Sequence, residues 1–585
     1  MSEVYSKLFA QERSTSGPLN RISRNLSNPR ILLALLAYVT ALVIDPGNLG
    51  TIDTRRRLDV TQWISQGTSP IASTPDFAIK GRDGKLYYPY GIGQSLVMLP
   101  ADLIAAPLSR LVSGSNETQA KIRTGIVGML TFPLICAGTI ALLYDLLFGL
   151  GFNKKESMAG SLSLLFGTTF LYYTKIHYEN SLLIFLFIAA LNSIRIWVDS
   201  GSRPALILAA SAAGMMILTR LTTFVEVACL GVFTAGLLAI HWQTPEGKLD
   251  TKNRLKDLAL VGTICFLGFC LAERLYHWRR FGGLGSTYMH VQSDLIRKRS
   301  AIKPNNWQFQ QPLWTGFKKN LFYPHESIFL YDPLLLLALP LGIFGYRLVN
   351  PKIRLFLWTS LLFVVLQVGL YSKIPWPDGG AWGNRFNANS AQVACILAVP
   401  LFLRFRPYLN PWINRIAIGI LGIAILIQVE SVVYKVNLET MQYFLILNSI
   451  KTSQNLKQLP NINLTWDYHL FTGWQRLVNI FSVATGTFDA TGLKPVEHAQ
   501  HCLIPNFSPF IFQSMLPASI FKFVWAVWIS LLGLWFLLLS RTIQYFRTED
   551  YEPLHRDLAV KVPGSFWPRR NVGPHELRIK QSRQS

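Results

Sequence analysis

Charge-poor apolar runs recur from residue 31 to residue 540, and short polar, basic segments separate them. The windows 31–43, 258–271, 334–345 and 416–427 carry no charge. Each sits in a longer apolar stretch near the roughly 20 residues that cross a bilayer as a helix. A soluble chain of 585 residues would instead alternate short apolar and polar stretches. The pattern predicts membrane-spanning helices near 31–49, 124–148, 157–174, 180–197, 204–220, 222–241, 257–274, 327–346, 354–371, 387–403, 413–432 and 517–540. The expected fold is an all-α polytopic membrane protein of about 12 transmembrane helices, whose first outer loop carries amphipathic surface helices.

One apolar stretch is left out of that count. Residues 90–112, YGIGQSLVMLPADLIAAPLSRLV, contain Gln94, Asp102 and Arg110 and are divided by Pro100 and Pro107. With this stretch lying on or re-entering the membrane, and the N-terminus in the cytoplasm, the basic hairpins fall inside. They hold Lys154 and Lys155; Arg195 and Arg203; Lys248, Lys252, Arg254 and Lys256; Arg347, Lys352 and Arg354; Arg404, Arg406 and Arg415. The tail with Arg569, Arg570, Arg578, Lys580 and Arg583 falls there too, as the positive-inside rule requires. Counting 90–112 as a span would move all the hairpins outside. The expected organisation is a cytoplasmic segment 1–30, a core 31–432 with outer loops 50–122 and 275–326, an outer loop region 433–516, a last helix 517–540, and a basic cytoplasmic tail 541–585. Both termini are expected in the cytoplasm of a cell that carries the protein in its inner membrane.

Composition adds exclusions. The net charge of +24 comes from scattered basic clusters between apolar runs, with no basic stripe interleaved with aromatics, so nucleic acid is not an expected partner. Five of the six cysteines lie in or beside apolar runs and only Cys502 lies in a long loop, which indicates neither a disulfide framework nor a zinc cluster. The polar, basic first 30 residues predict that the first apolar run is retained rather than cleaved as a signal peptide. No phosphate-binding glycine loop, dinucleotide fingerprint or nucleophile elbow is present.

The candidate chemistry lies on the outer face. In TIDTRRRLDVTQWISQG, Asp53 stands just past the first span, where a carboxylate can take a proton from an acceptor hydroxyl as general base; it can equally be a helix N-cap. Asp59 and Asp83 are weaker competitors. Arg55, Arg56 and Arg57 stand where basic clusters are disfavoured, which suggests a task there. His177 and Glu179, in KIHYEN at the mouth of two spans, could bind a divalent metal, orient a carboxylate, hold an acceptor, or simply be interfacial. Arg220, between two tight spans, needs a partner: a lipid phosphate, or Glu226 or Glu179. The aromatic turns GKLYYPYG, YHWRRFGG, FYPHES and PWPDGGAWGNRF offer Lys85, Tyr88, Arg279, Arg280, His325, Asp378 and Arg385 as binding groups, although Trp and Tyr also anchor helices at interfaces.

The ordered pieces IDTRRRLDVTQWISQG, GKLYYPYGIGQSLVMLP, KIHYENSLLIFLFIAALN, GMMILTRLTTF, RRFGGLGSTYMH, PHESIFLYDPLLLL and GGAWGNRF resemble those of the membrane-embedded C-type glycosyltransferases. The resemblance is to the bacterial relatives of protein mannosyltransferases and aminoarabinose transferases, over about residues 31–404. It implies a sugar donor linked to polyprenyl phosphate and a glycan, lipid or protein acceptor entering from outside. It also implies inversion by direct displacement, with Asp53 matching the first-loop carboxylate. The paired DE or DD form is absent, because Thr54 follows Asp53. A secondary transporter and a non-catalytic protein that handles polysaccharide or lipid are the competing readings. The absence of an internal repeat weighs against the transporter.

Overall fold

The structure is a computed structural model that describes residues 28–69, 71–72, 78–111, 115–285, 287, 311–323, 327–374, 382–433, 507–512 and 518–548. In chain order the helices are α1 (Pro29–Ile44), α2 (Ile52–Gln66), α3 (Gly93–Arg110), α4 (Asn116–Leu150), α5 (Lys154–Gly167), α6 (Phe170–Ile176), α7 (Glu179–Ser200) and α8 (Arg203–Thr219). They continue as α9 (Phe224–Trp242), α10 (Pro245–Asp257), α11 (Thr263–Phe281), α12 (Leu313–Phe322), α13 (Ile328–Tyr331), α14 (Leu335–Gly345) and α15 (Pro351–Tyr371). The last are α16 (Ala388–Cys395), α17 (Ala398–Phe405), α18 (Pro411–Val433), α19 (Ser508–Phe512) and α20 (Ala518–Thr548). Among the described residues the strands are a two-residue antiparallel pair, β1 (Ile79–Lys80) and β2 (Leu86–Tyr87), with Ile79 opposite Tyr87.

Eight helical segments among the described residues are long and apolar enough to cross a membrane, from Asn116–Leu150 to Phe521–Thr548, and Pro29–Ile44, Arg203–Thr219 and Leu335–Leu348 are shorter apolar helices. The chain is therefore an all-α, multi-pass membrane protein. Two expected spans are not single helices. The one near 157–174 breaks after Gly167, where Thr168 takes an extended conformation, and resumes as α6. A break within a buried helical segment frees backbone groups that need partners. Asp332 supplies one, accepting from the Thr169 amide at 2.7 Å and from its hydroxyl at 3.0 Å. The span near 387–403 divides between α16 and α17, where Pro400 cannot donate to the carbonyl four residues back.

Within stretch 90–112, Gly93–Arg110 form the single helix α3 despite its prolines, and it is not among the eight. Its buried face holds polar groups. Asp102 receives both the Nε and Nη2 of Arg123, at 2.7 and 2.6 Å, and the Ser65 hydroxyl at 2.9 Å, which ties α3 to α4 and α2. Its start abuts the end of α8. A Cβ added at Gly91 or Gly93 would fall 2.3 Å from the Leu218 carbonyl oxygen or 2.2 Å from the Thr219 hydroxyl, so the glycines of YGIG permit the contact.

Packing follows helix faces. On α1, Leu33, Ala37, Ala41 and Ile44 join the main core, while Leu32, Leu36, Val39 and Val43 meet Leu538, Trp528 and Trp535 of α20. The two indoles donate to the Val43 carbonyl and the Thr40 hydroxyl, which sets the register of the pair.

Charged pairs mark one end of the bundle. Arg404 grips Glu156 in a bidentate pair at 3.0 and 2.5 Å, both side chains buried, and Lys352 meets Asp199 at 2.8 Å. Glu156 is also the third helical residue of a capping box with Asn153. Glu156→Gln preserves that cap but leaves the Arg404 charge buried without its counter-ion, which costs about 3–5 kcal/mol. A clear drop in the thermal unfolding temperature of the detergent-solubilised protein is expected. An unchanged temperature would show that the pair contributes nothing.

Candidate functional site

At the other end, the termini of α1, α8 and α15 meet the starts of α2, α7 and α16, and five ionisable side chains converge there. Thr51 caps α2, its hydroxyl accepting from the Thr54 amide, so Asp53 is not the cap and its carboxylate is free to point elsewhere. Arg57 stands one turn further along the same helix face, where i and i+4 side chains are neighbours. Its Nη1 donates to Glu179 Oε2 at 2.9 Å, with 4 % and 2 % of the two side chains exposed. Glu179 is the first residue of α7, where the helix N-terminus favours negative charge. Arg385, just before α16, donates through Nη2 to Glu179 Oε1 at 3.0 Å and to Asp53 Oδ2 at 2.6 Å. Arg220, at the C-cap of α8, reaches Glu179 Oε1 from 3.8 Å.

Aromatic rings complete the walls. The Tyr90 hydroxyl donates to Asp53 Oδ1 at 2.6 Å, and the Arg57 guanidinium lies 4.6 Å from the Tyr90 ring centre. Arg385 lies over Tyr178 at 4.3 Å, and Arg220 lies over Phe386 at 4.5 Å and Tyr371 at 5.5 Å. Burial pushes the Tyr90 phenol well above its usual range and the adjacent Asp53 charge adds to the shift, so the hydroxyl stays a donor. Burial opposes the charge on Arg385, but Glu179, Tyr178 and Asp53 outweigh it and keep the guanidinium protonated.

Three guanidinium groups against two carboxylates leave one surplus positive charge in this cluster. The surplus belongs chiefly to Arg220. Its guanidinium is the most loosely engaged of the three, and 14 % of its side chain is exposed, as is 15 % of that of Asp53. Asp53 uses one lone pair on each oxygen and keeps others. A partly exposed basic oxygen and a partly exposed planar cation with spare donors thus belong to one cluster, joined through Arg385 and Glu179.

Asp53, Glu179, Arg220 and Arg385 therefore stand together, and the other sequence candidates stand elsewhere. His177 is buried with its Nε2 3.2 Å from Asp45 Oδ2 and its ring stacked on Phe132. Its left-handed backbone, φ 61°, turns the chain between α6 and α7, so His177 and Glu179 point apart. The His177 carbonyl accepts from Thr54 and Gln94, which seats α2 and α3 on this corner. Lys85 is half-exposed beside Asp83, 3.9 Å away, in the β1–β2 turn. Tyr88 is buried against Trp63 and under Arg56. Arg279 is exposed, whereas Arg280 is buried and donates to the carbonyls of Tyr88 and Tyr90, which holds Tyr90 toward Asp53. Asp59 pairs with Arg56 at 3.3 Å. Glu226 is buried in α9. His325 and Asp378 lie outside the described residues.

A divalent metal at His177 and Glu179 does not fit this geometry. Glu179 is surrounded by three cations and the His177 ring is paired with Asp45, so no shared coordination position exists. Among the described residues no three His, Cys, Asp or Glu side chains gather as a metal site.

No family model matches the chain, and no curated protein matches it. Solved structures similar to it include the following two. One is the archaeal oligosaccharyltransferase AglB from Archaeoglobus fulgidus in complex with an inhibitory peptide and a dolichol-phosphate, at 13 % identity and a TM-score of 0.38. The other is the Archaeoglobus fulgidus oligosaccharyltransferase in the apo form, at 12 % identity and a TM-score of 0.36. Each alignment covers 68 % of this chain and 55 % of the solved chain, so this chain spans about half the length of those structures.

The cluster assigns unequal structural roles to its two acids. Glu179→Gln leaves buried guanidinium groups uncompensated at a cost of about 3–5 kcal/mol, whereas Asp53→Asn, at a partly solvated edge, costs about 1 kcal/mol. Thermal unfolding of the two variants should separate them in that order. Equal or inverted losses would remove Glu179 from its central position.

Proposed function

We propose that the protein is a membrane glycosyltransferase that moves a sugar from a polyprenyl-phosphate donor to a glycan, lipid or protein acceptor on the outer side of the membrane. The observation that carries this reading is the ion-pair cluster in which Asp53 and Arg220, each partly exposed, are joined through Arg385 and Glu179. Asp53 takes the proton from the acceptor hydroxyl, and the resulting oxygen attacks the anomeric carbon. The bond from that carbon to the phosphate oxygen breaks, and the electron pair leaves with the phosphate. Arg220 receives the departing charge through its fork of donors, with Arg385 adjacent. A single displacement inverts the anomeric centre. Tyr90 and Arg385 hold the base in place, and Glu179 holds the arginines.

The direct test is transfer from a polyprenyl-phosphate sugar by the purified protein in lipid. General bases contribute about a hundred- to ten-thousand-fold in rate, so Asp53→Asn should lose turnover on that scale while still binding donor. Asp59→Asn should change little. Arg220→Lys keeps the charge but loses the planar fork, and donor use should weaken markedly in a folded protein. Normal turnover by the Asp53 variant removes it as base, and unaltered donor dependence in the Arg220 variant removes that residue from the phosphate. Donor binding without any transfer by the unaltered protein would favour the non-catalytic reading.

We further infer twelve crossings with both termini cytoplasmic. The support is that the bundle segregates its ends, with the basic hairpins near Arg203, Lys352 and Arg404 opposite the Asp53 cluster. Helix α3 stays at the cluster end, held by Thr219 at its start and Arg123 at its middle. The broken pair α5–α6 makes one crossing. Cysteines introduced at Ser115 and Lys154 should label from opposite sides of the membrane, and labelling from one side would overturn the arrangement.

A further inference from the structure

The end of the bundle remote from the charged cluster carries a groove that the transfer reaction does not use. Its volume is about 440 Å³, and it lies between α9 and the continuous run from α10 into α11. Gly231, Ala235 and Trp242 line one wall, and Thr251, Leu255 and Leu258 line the other. The Thr251 hydroxyl is turned inward to the Gly247 carbonyl, so that wall presents carbon. The recess has room to spare, because a Cβ added at Gly231 meets nothing within 4 Å. Leu255 and Trp242 are half-exposed along it.

Its depth follows from helix lengths. The apolar segment Asp250–Phe281 has 32 residues. At 1.5 Å per residue it is about 48 Å long against a hydrocarbon core of about 30 Å, so one end stands among the headgroups. Trp242 ends α9 at that level, where indoles concentrate at membrane interfaces.

Charge distinguishes this recess from an ordinary lipid-facing surface. Lys248, Lys252 and Lys256 are exposed on α10 at i, i+4 and i+8, so they share one side of the helix. At 100° per residue Lys248 projects about 20° from Leu255, placing the first lysine at the rim of the groove. Two of the helix's acids are engaged by arginines: Asp250 pairs with Arg254 at 2.5 Å and Asp257 with Arg203 at 2.9 Å. Among the described side chains these lysines have no ion-pair partner.

We propose that this groove binds an anionic phospholipid. One acyl chain lies along Gly231, Ala235 and Leu255, and the headgroup phosphate sits against Lys248 and Lys252. Any lipid tail gains from filling an apolar recess, but only a negatively charged headgroup gains from the exposed lysines beside it. The site stands apart from Asp53 and does not rest on the transferase reading.

The test uses the full chain in detergent, offered an equimolar mixture of phosphatidylglycerol and phosphatidylcholine, with retained lipid counted by native mass spectrometry. The unaltered protein should retain phosphatidylglycerol preferentially. Lys248→Gln with Lys252→Gln should lower that preference by about fivefold per lysine, both side chains being exposed and dispensable for folding. Gly231→Leu, which has space and favours the helix, should fill the groove and reduce retention of phosphatidylglycerol. Equal retention of the two lipids by the unaltered protein overturns the proposal. So does a preference that survives the double lysine change, or phosphatidylglycerol retention that survives Gly231→Leu.

Discussion

The site depends on one buried carboxylate. Glu179 draws guanidinium groups from α2, from the end of α8 and from the segment before α16 to a single point. Three cations within reach of one another, beside or below a bilayer surface, repel strongly unless an anion stands among them. Glu179 meets that need at a helix N-terminus, where its charge is favoured. Because Arg385 also reaches Asp53, the same constraint fixes the proposed base. A structural requirement and a chemical one are therefore met by a single connected group of side chains.

The bundle delivers those side chains by alternating direction. α1 and α8 end where α7 and α16 begin, so residues far apart in sequence meet at one level. The connections there are tightened by local devices: the left-handed turn at His177, whose carbonyl seats α2 and α3, and the glycines that let α3 abut α8. The opposite end is closed by pairs such as Arg404 with Glu156, which hold short hairpins together.

The hydropathy pattern made the all-α membrane class legible and put Asp53, Glu179, Arg220 and Arg385, each at the boundary of an apolar run, among the outer-face candidates, without singling these four out from the rest. Arg57 carried a signal in TIDTRRR: it follows Asp53 by one helical turn, which places both on one face. Tyr90 carried none, since only the fold of the β1–β2 segment and the support of Arg280 bring it back to Asp53. The adjacency of His177 and Glu179 in H-x-E suggested a shared site, but a left-handed backbone between them reverses the direction of the ring. Lys85 and Tyr88 share a motif with Tyr90, yet a turn and a strand end send their side chains to solvent and to Trp63. The break after Gly167 was invisible because its partner, Asp332, lies far along the chain.

The central claim is that Arg220 and Asp53, two members of one ion-pair cluster, receive a lipid phosphate and an acceptor hydroxyl. The most direct measurement is an experimental density map of the protein with a polyprenyl-phosphate bound. The account predicts phosphate oxygens about 2.7–2.9 Å from the Arg220 guanidinium nitrogens, with Asp53 facing the sugar-bearing side and Glu179 still among its arginines. A phosphate bound away from Arg220, or an Asp53 carboxylate walled off from the bound lipid, would contradict it.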